Sequence, residues 1–340
     1  MSHPRIRSII LLLALGGFIF AGCAPSANIV HDVNGWNGTP HEVSVTGMEG
    51  GGPPDASPPA SAAAGATGAV FASTIPFEGA ARQAFQAAGG EAHLMVYQSQ
   101  IDPDDNGRLN EAKLRGWILK NVPSGYDGVV WLDWEGTWMD AFKSSDPSVV
   151  AAAVSEGTHA MTMARALRPN AKWGFYGLPP RLYWQRTDPS WRASAENCRA
   201  LFKHVDVVGV SVYDFYADAD NPGGGSGDQA YVADNVRLAL DVAPPNVDVW
   251  FFVIETYHDS NAKRRGQYIP DDEWTAHTLA GLGVRQNGRA ARGVVWWGSQ
   301  YNGLRAGKIP PADGLSAAAW LDRHLTQRIE TMDRAVRTGR

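Results

Sequence analysis

Beyond residue 68 the chain repeats one rhythm: a short run of β-branched or aromatic residues, a turn, then apolar positions at helical spacing. The clearest extended runs are His93 to Gln98, Gly128 to Asp133, Lys172 to Gly177, Asp206 to Tyr213, Val247 to Ile254 and Gly293 to Trp297. Ala69 to Thr74 is a weaker first one. Between them the pattern predicts a helix starting at Asp146, with Pro147 in its first turn and Val150, Val154, Met161 and Leu167 at helical spacing. Arg168, Pro169 and Asn170 stop it. Strands buried on both faces and separated by amphipathic helices form a parallel sheet. This many units with no Gly-X-Gly-X-X-Gly turn favours closure. The expected fold is therefore α/β, a TIM-like (β/α) barrel of seven or eight strands over residues 69–328. In such barrels chemistry sits where the strands end.

Ahead of the barrel the pattern changes twice. Arg5 and Arg7 precede an apolar run from Ile9 to Phe20, which reads as a secretory signal over residues 1–22 and is too short for a finished membrane-spanning helix. Phe20-Ala21-Gly22-Cys23 resembles the lipobox of bacterial lipoproteins, in which the cysteine is acylated, although Phe20 stands where Leu is usual. That resemblance implies an exported lipoprotein of the bacterial cell envelope, membrane-anchored through Cys23; an ordinary signal or an uncleaved anchor is the alternative. Residues 23–68 are expected to be an N-terminal segment and flexible linker, because Gly50 to Gly68 holds only Gly, Pro, Ala, Ser, Thr and one Asp and has nothing to bury. His41 to Thr46 alternates like a strand, and its place is left open.

Composition narrows the function. The 340 residues carry a net charge of −5 with both signs interspersed, so no basic stripe points to nucleic acid. Two cysteines, Cys23 and Cys198, exclude a disulfide scaffold, and Cys198 reads as a buried small hydrophobe. The histidines form no compact ligand set, so neither a catalytic metal nor a cofactor is expected. Asp102 to Gly107 matches the first half of a calcium loop, but Lys113 occupies the position of the closing Glu, and a turn before the helix near Asn110 is the plainer reading.

The chemistry-bearing segment is Asp127-Gly128-Val129-Val130-Trp131-Leu132-Asp133-Trp134-Glu135, a turn and an apolar strand with two acids at its carboxyl end. Residues two apart on a strand share a face, so Asp133 and Glu135 point the same way. Two carboxyl groups this close in a barrel mouth resist joint ionisation, and one kept protonated can protonate a glycosidic oxygen. Capping of the next loop, or pairing with an arginine, is the structural alternative. Thirteen tryptophans are many for this length, and Trp134, Trp138, Trp184, Trp297 and Tyr301 fall at strand ends, where rings stack on sugars or simply pack; Trp250 and Trp274 read as core.

Asp-Trp-Glu at the end of an apolar strand resembles the signature of the hyaluronidase family of glycoside hydrolases. Trp173-Gly174-Phe175-Tyr176-Gly177-Leu178-Pro179 looks like that family's next strand and proline turn, and Gly293-Val294-Val295-Trp296-Trp297-Gly298-Ser299 like its final strand. The likeness spans Tyr97 to Gln300. It implies Glu135 as proton donor and Asp133 as the group that orients the substrate's acetamido, whose oxygen attacks the anomeric carbon. It further implies a sugar pocket lined by Tyr97, Tyr176, Tyr183, Tyr213 and Trp297. By its position after Tyr213, Asp214 is a candidate to assist, with capping of the strand-end loop as the equal alternative. Arg181 stands where animal members carry a cysteine, so their disulfide is missing. Chitinase-like hydrolases also end a strand with Asp-X-Glu but have a further Asp where this chain has Trp131.

The leading expectation is a glycosidase acting on a polysaccharide with N-acetylated sugars. Glu255, which follows the strand Val247 to Ile254, offers an alternative as nucleophile opposite Glu135 in a two-carboxylate retaining mechanism. A non-catalytic carbohydrate-binding envelope lipoprotein is the reading from another class.

Overall fold

A computed structural model of the chain describes residues 68–221, 223–298 and 316–339. The expected signal, Cys23, the segment up to residue 67 and Tyr301 lie outside the described residues. Among the described residues there are eight strand segments: Val70–Ser73 (β1), Glu91–Ala92 (β2), Leu94–Val96 (β3), Val129–Leu132 (β4), Lys172–Tyr176 (β5), Val207–Ser211 (β6), Asp248–Val253 (β7) and Gly293–Trp296 (β8). All pair in parallel in the order β2-β1-β8-β7-β6-β5-β4-β3. Only His93 separates β2 from β3, and its N–H still bonds the Ser73 carbonyl at 2.9 Å. One interrupted strand therefore pairs with β1 on one side and β4 on the other. This closes the sheet into a barrel of seven strand positions, and each extended run expected from the sequence supplies one.

Helices cover the outside. The expected long helix is Pro147–Leu167, with the Asp146 carboxylate accepting from the Ser148 N–H at its N-terminus and Pro147 where a backbone donor is not needed. The C-terminal helix Ala317–Thr338 runs past the expected boundary at 328 and packs on Gly79–Ala87 and Asp271–Leu282 through buried Leu325, Ile329 and Met332. Cys198 and Trp274 are buried in the outer layer, as their sequence context suggests.

The floor of the barrel is filled by large rings opposite small residues. Trp131, Trp250 and Phe252 occupy the interior; Trp131 Nε1 donates to His93 Nδ1 at 3.1 Å and the Trp250 ring meets the His93 ring edge to face at 4.9 Å. Room for them comes from glycine. A methyl on Gly209 would come within 2.5 Å of Phe252 and 3.0 Å of Trp131, and one on Gly293 within 2.8 Å of Trp250.

Gly209→Val is expected to destabilise the protein by about 1–3 kcal/mol through overpacking. Gly116→Ala, in the exposed middle of the helix Glu111–Asn121 with open space around the new methyl, should stabilise by about 0.5–1 kcal/mol. Urea unfolding midpoints moving in these opposite directions check the pair; an unmoved midpoint for Gly209→Val contradicts the packing.

Candidate active site

Strand β4 sets the site. Trp131 belongs to the interior cluster, whereas Leu132 and Trp134 belong to the outer one. The alternation carries past the strand end, so Asp133 and Glu135 face the barrel mouth. Trp134 is fixed outside by stacking on Trp138, with ring centres 4.6 Å apart, and by a 3.3 Å hydrogen bond from its Nε1 to the Asp102 carboxylate. The backbone of Glu135 is held as well, its N–H donating to Gln98 Oε1 at 2.9 Å. Gly136 then takes φ +56°, which turns the chain into Gly136–Asp140; a side chain there would collide with Asp105.

Both acids are half-buried. Burial first, and the charge of Glu135 second, push the Asp133 carboxyl well above the usual range. Burial also raises Glu135, against the opposing pull of Arg181 and Lys143. Burial therefore favours a proton held on the pair. Asp133 Oδ1 is sealed from solvent and has no hydrogen-bond partner among the described residues.

An aromatic collar rings the acids. Tyr176 and Tyr213 have ring centres 5.9 Å apart, Tyr213 stacks on Trp297 at 6.1 Å, and Trp297 Nε1 donates to the Tyr97 hydroxyl at 3.3 Å. Tyr97 is 41% exposed, which places it at the lip. Four of the expected pocket residues are thus brought together with the acid pair. Two polar groups join them. Ser211 Oγ accepts from the Tyr176 hydroxyl at 3.1 Å and from Arg181 Nη1 at 2.6 Å. In sequence Arg181 reads only as a missing cysteine; its signal is a cation in the turn directly after the strand end.

Three expected site residues lie elsewhere. Glu255 is turned outward against the helix layer, 1% exposed, with its carboxylate accepting from Trp296 Nε1 at 2.9 Å. It follows inward Ile254 by one residue and so falls on the other side of the barrel wall. Asp214 follows inward Tyr213 in the same way and binds His277 Nδ1 at 2.7 Å behind the wall. Tyr183 is buried in the outer layer, where its hydroxyl donates to Asp228 and accepts from Asn221 Nδ2. Of the strand-end tryptophans, Trp134 and Trp138 are fully enclosed and only Trp184 and Trp297 reach toward solvent. The Asp102 loop is a hydrogen-bonded turn: its carboxylate accepts from the N–H groups of Asn106 and Gly107 and from Trp134.

Asp218, Glu273 and His277 place potential ligand atoms within 4.8 Å of one another. Both imidazole nitrogens already contact carboxylates, Asp214 at 2.7 Å and Asp218 at 3.2 Å. Burial opposes the His277 charge, but Asp214, Asp228 and Asp218 outweigh it and lift the pKa to about 9. An imidazolium clamped between acids accounts for this cluster.

Fold and site together define a class: a (β/α) barrel whose strand ends hold a pair of carboxyl groups inside an aromatic collar. The chain is hyaluronidase-like. It is 28% identical to human Hyaluronidase-1 over 181 residues, 50% of this chain, and spans only 38% of that protein's length. Its fold matches that of bee venom hyaluronidase with a TM-score of 0.55 at 16% identity, covering 77% of this chain and 99% of the other. The bee venom enzyme in complex with a hyaluronic acid tetramer matches equally, with a TM-score of 0.55 at 17% identity, covering 78% and 99%. No model of a known protein family matches the chain.

Because the folded pKa of His277 lies above its ordinary 6.5, the clamp's contribution is complete below pH 6.5 and is lost as pH rises through about 9. His277→Gln should cost about 3 kcal/mol at pH 6, with the difference from wild type shrinking toward pH 9. Denaturant melts at a series of pH values test this; a difference constant with pH refutes the charged clamp.

Proposed function

We propose that this chain is a glycoside hydrolase of hyaluronidase type, which cleaves a polysaccharide bearing N-acetylated sugars with the substrate's own acetamido group as nucleophile. The observation that carries this reading is Asp133 Oδ1, a buried acceptor with no partner beside a second protonatable acid. An acetamido N–H is the donor it lacks. A hydrogen bond to the anionic form favours that form, so substrate binding releases the shared proton from Asp133 to Glu135. Glu135 then gives the proton to the glycosidic oxygen. The acetamido carbonyl oxygen forms a bond to the anomeric carbon as the glycosidic bond breaks, leaving a cyclic oxazolinium. Glu135, now a carboxylate, takes a proton from water as that water opens the ring. The aromatic collar supplies faces for the apolar sides of sugar rings. A retaining mechanism with Glu255 would need its carboxylate in the mouth, and it lies behind the wall. The bee venom enzyme's complex with a hyaluronic acid tetramer supports a polysaccharide substrate.

Export with acylation of Cys23 belongs to the same proposal, supported by the basic and apolar start of the chain and by Phe20-Ala21-Gly22-Cys23. Expressed in a bacterial host, the full chain should fractionate with membranes and Cys23→Ser should not; identical fractionation of the two removes the anchor.

Glu135→Gln should lower kcat on an N-acetylated polysaccharide by about 10²–10⁴-fold while leaving thermal unfolding unaltered. The wild-type chain should fail to cleave the same polymer after N-deacetylation. Retained turnover in Glu135→Gln, equal cleavage of the deacetylated polymer, or binding without cleavage across a panel of N-acetylated glycans would each sink the proposal.

A further inference from the structure

We propose that Trp184 and Tyr216 form an outlying sugar-stacking platform, separate from the acid pair, that grips a distal ring of a long glycan. The inference rests on the glycoside hydrolase reading and adds a second binding site to it.

Among the described residues four large hydrophobic side chains are exposed: Tyr97, Leu119, Val149 and Trp184. Leu119 and Val149 sit on the helices Glu111–Asn121 and Pro147–Leu167, where single apolar residues at the surface are ordinary. The two aromatic ones lie beyond the carboxyl ends of strands, Tyr97 directly after β3 and Trp184 in the loop after β5. Tyr97 belongs to the collar. Trp184 lies outside it and is 44% exposed.

Its neighbours hold the indole in place. Tyr183 meets it edge to face with ring centres 4.6 Å apart, and Tyr216, from the loop after β6, leans on both rings, 5.4 Å from Trp184 and 4.9 Å from Tyr183. Tyr183 is itself bonded to Asp228 and Asn221. Directly after the indole, Gln185 takes φ +54°, a conformation unfavourable to a residue with a side chain, and Arg186 fastens the turn by donating to the Tyr183 carbonyl and, at 3.0 Å, to Asp234. A strained backbone thus presents a large apolar ring to solvent. Hydrophobic burial alone would turn that ring inward, whereas a preformed stacking site needs it fixed and open.

Shape and size select the ligand. The two ring planes meet at 51°, a corner of apolar faces flanked by Gln185, Arg186 and Thr187. A pyranose offers the complement, a flat apolar face edged with hydroxyl groups. A stable protein partner would need about 800 Å² on this side, which two rings in polar surroundings do not supply. The platform also joins the cleft. From Tyr213 in the collar the contacts run through the Arg181 guanidinium, 5.8 Å from that ring, to Phe215 at 5.1 Å, and from Phe215 to Tyr183 at 5.8 Å. A long glycan seated over the acid pair and extended along this rim passes over Trp184; a short one ends before it.

A ring bound away from the reacting carbon is held equally in the ground and transition states, so the platform acts on KM and not on kcat. The test uses the full chain with long hyaluronan, chitin and peptidoglycan glycan, each against its own tetrasaccharide. For the polymer that is cleaved, Trp184→Ala should raise KM by about tenfold while leaving kcat, thermal unfolding and the tetrasaccharide's KM unaltered. Trp184→Phe, which keeps a ring, should restore most of the loss. Calorimetric binding of the same ligands to Glu135→Gln, with and without Trp184→Ala, gives a readout independent of turnover. Polymer-specific affinity lost with Trp184 in a protein that hydrolyses none of the three would keep the platform and overturn the hydrolase. A wild type that binds no polymer more tightly than its tetrasaccharide, a polymer affinity undiminished in Trp184→Ala, or an equal loss for polymer and tetrasaccharide overturns the platform.

Discussion

A pleated strand sends successive side chains to opposite faces, and in a closed barrel those faces are a packed cup and a helix-covered wall. The site depends on this parity. Counting from inward Trp131, the two acids at positions 133 and 135 enter the cup and Trp134 between them goes to the wall. A slip of one residue in β4 would drive both carboxyl groups among the helices and put an indole in the mouth. The structure guards against it with Trp134 itself, stacked on Trp138 and hydrogen-bonded to Asp102, and with Gln98, which holds the Glu135 backbone.

Burial that would merely be costly elsewhere is useful at this position. Asp133 and Glu135 lose hydration, and that loss pushes both carboxyl groups toward the protonated form. Several polar groups of the wall around them are satisfied away from the cup. His277 sits between Asp214 and Asp218, Glu255 accepts from Trp296, and Tyr183 is bonded to Asp228 and Asn221. The outer layer thus holds the paired polar groups and the inner one the acid pair.

The same parity explains what sequence could and could not tell. Seven strand runs were legible from their apolar, β-branched content, and the helix Pro147–Leu167 from Asp146, Pro147 and its spacing. The acid pair was legible because both members sit two apart and so must share a face. Glu255 and Asp214 were placed in the cleft because each follows a strand. A strand apolar on both faces has no polar side to fix its phase, so being at the end says nothing about which way a side chain points. Trp134 and Trp138 were ambiguous for the same reason, as both wall and cup accept an indole. Tyr183 lies beyond the turn after β5, where no periodicity applies, and its neighbours come from residues some 40 positions away. Arg181 carried no pattern at all. Its position depends on Ser211 and Tyr213 at the end of the next strand and, through Leu182, on Asn235 from the helix Gly224–Val242.

Glycine and indole fill the lower half of the barrel so fully that no passage runs along its axis. Among the described residues the floor is packed shut, so the acid pair is approached from the strand ends, and a glycan of the proposed kind would enter and leave on that one side.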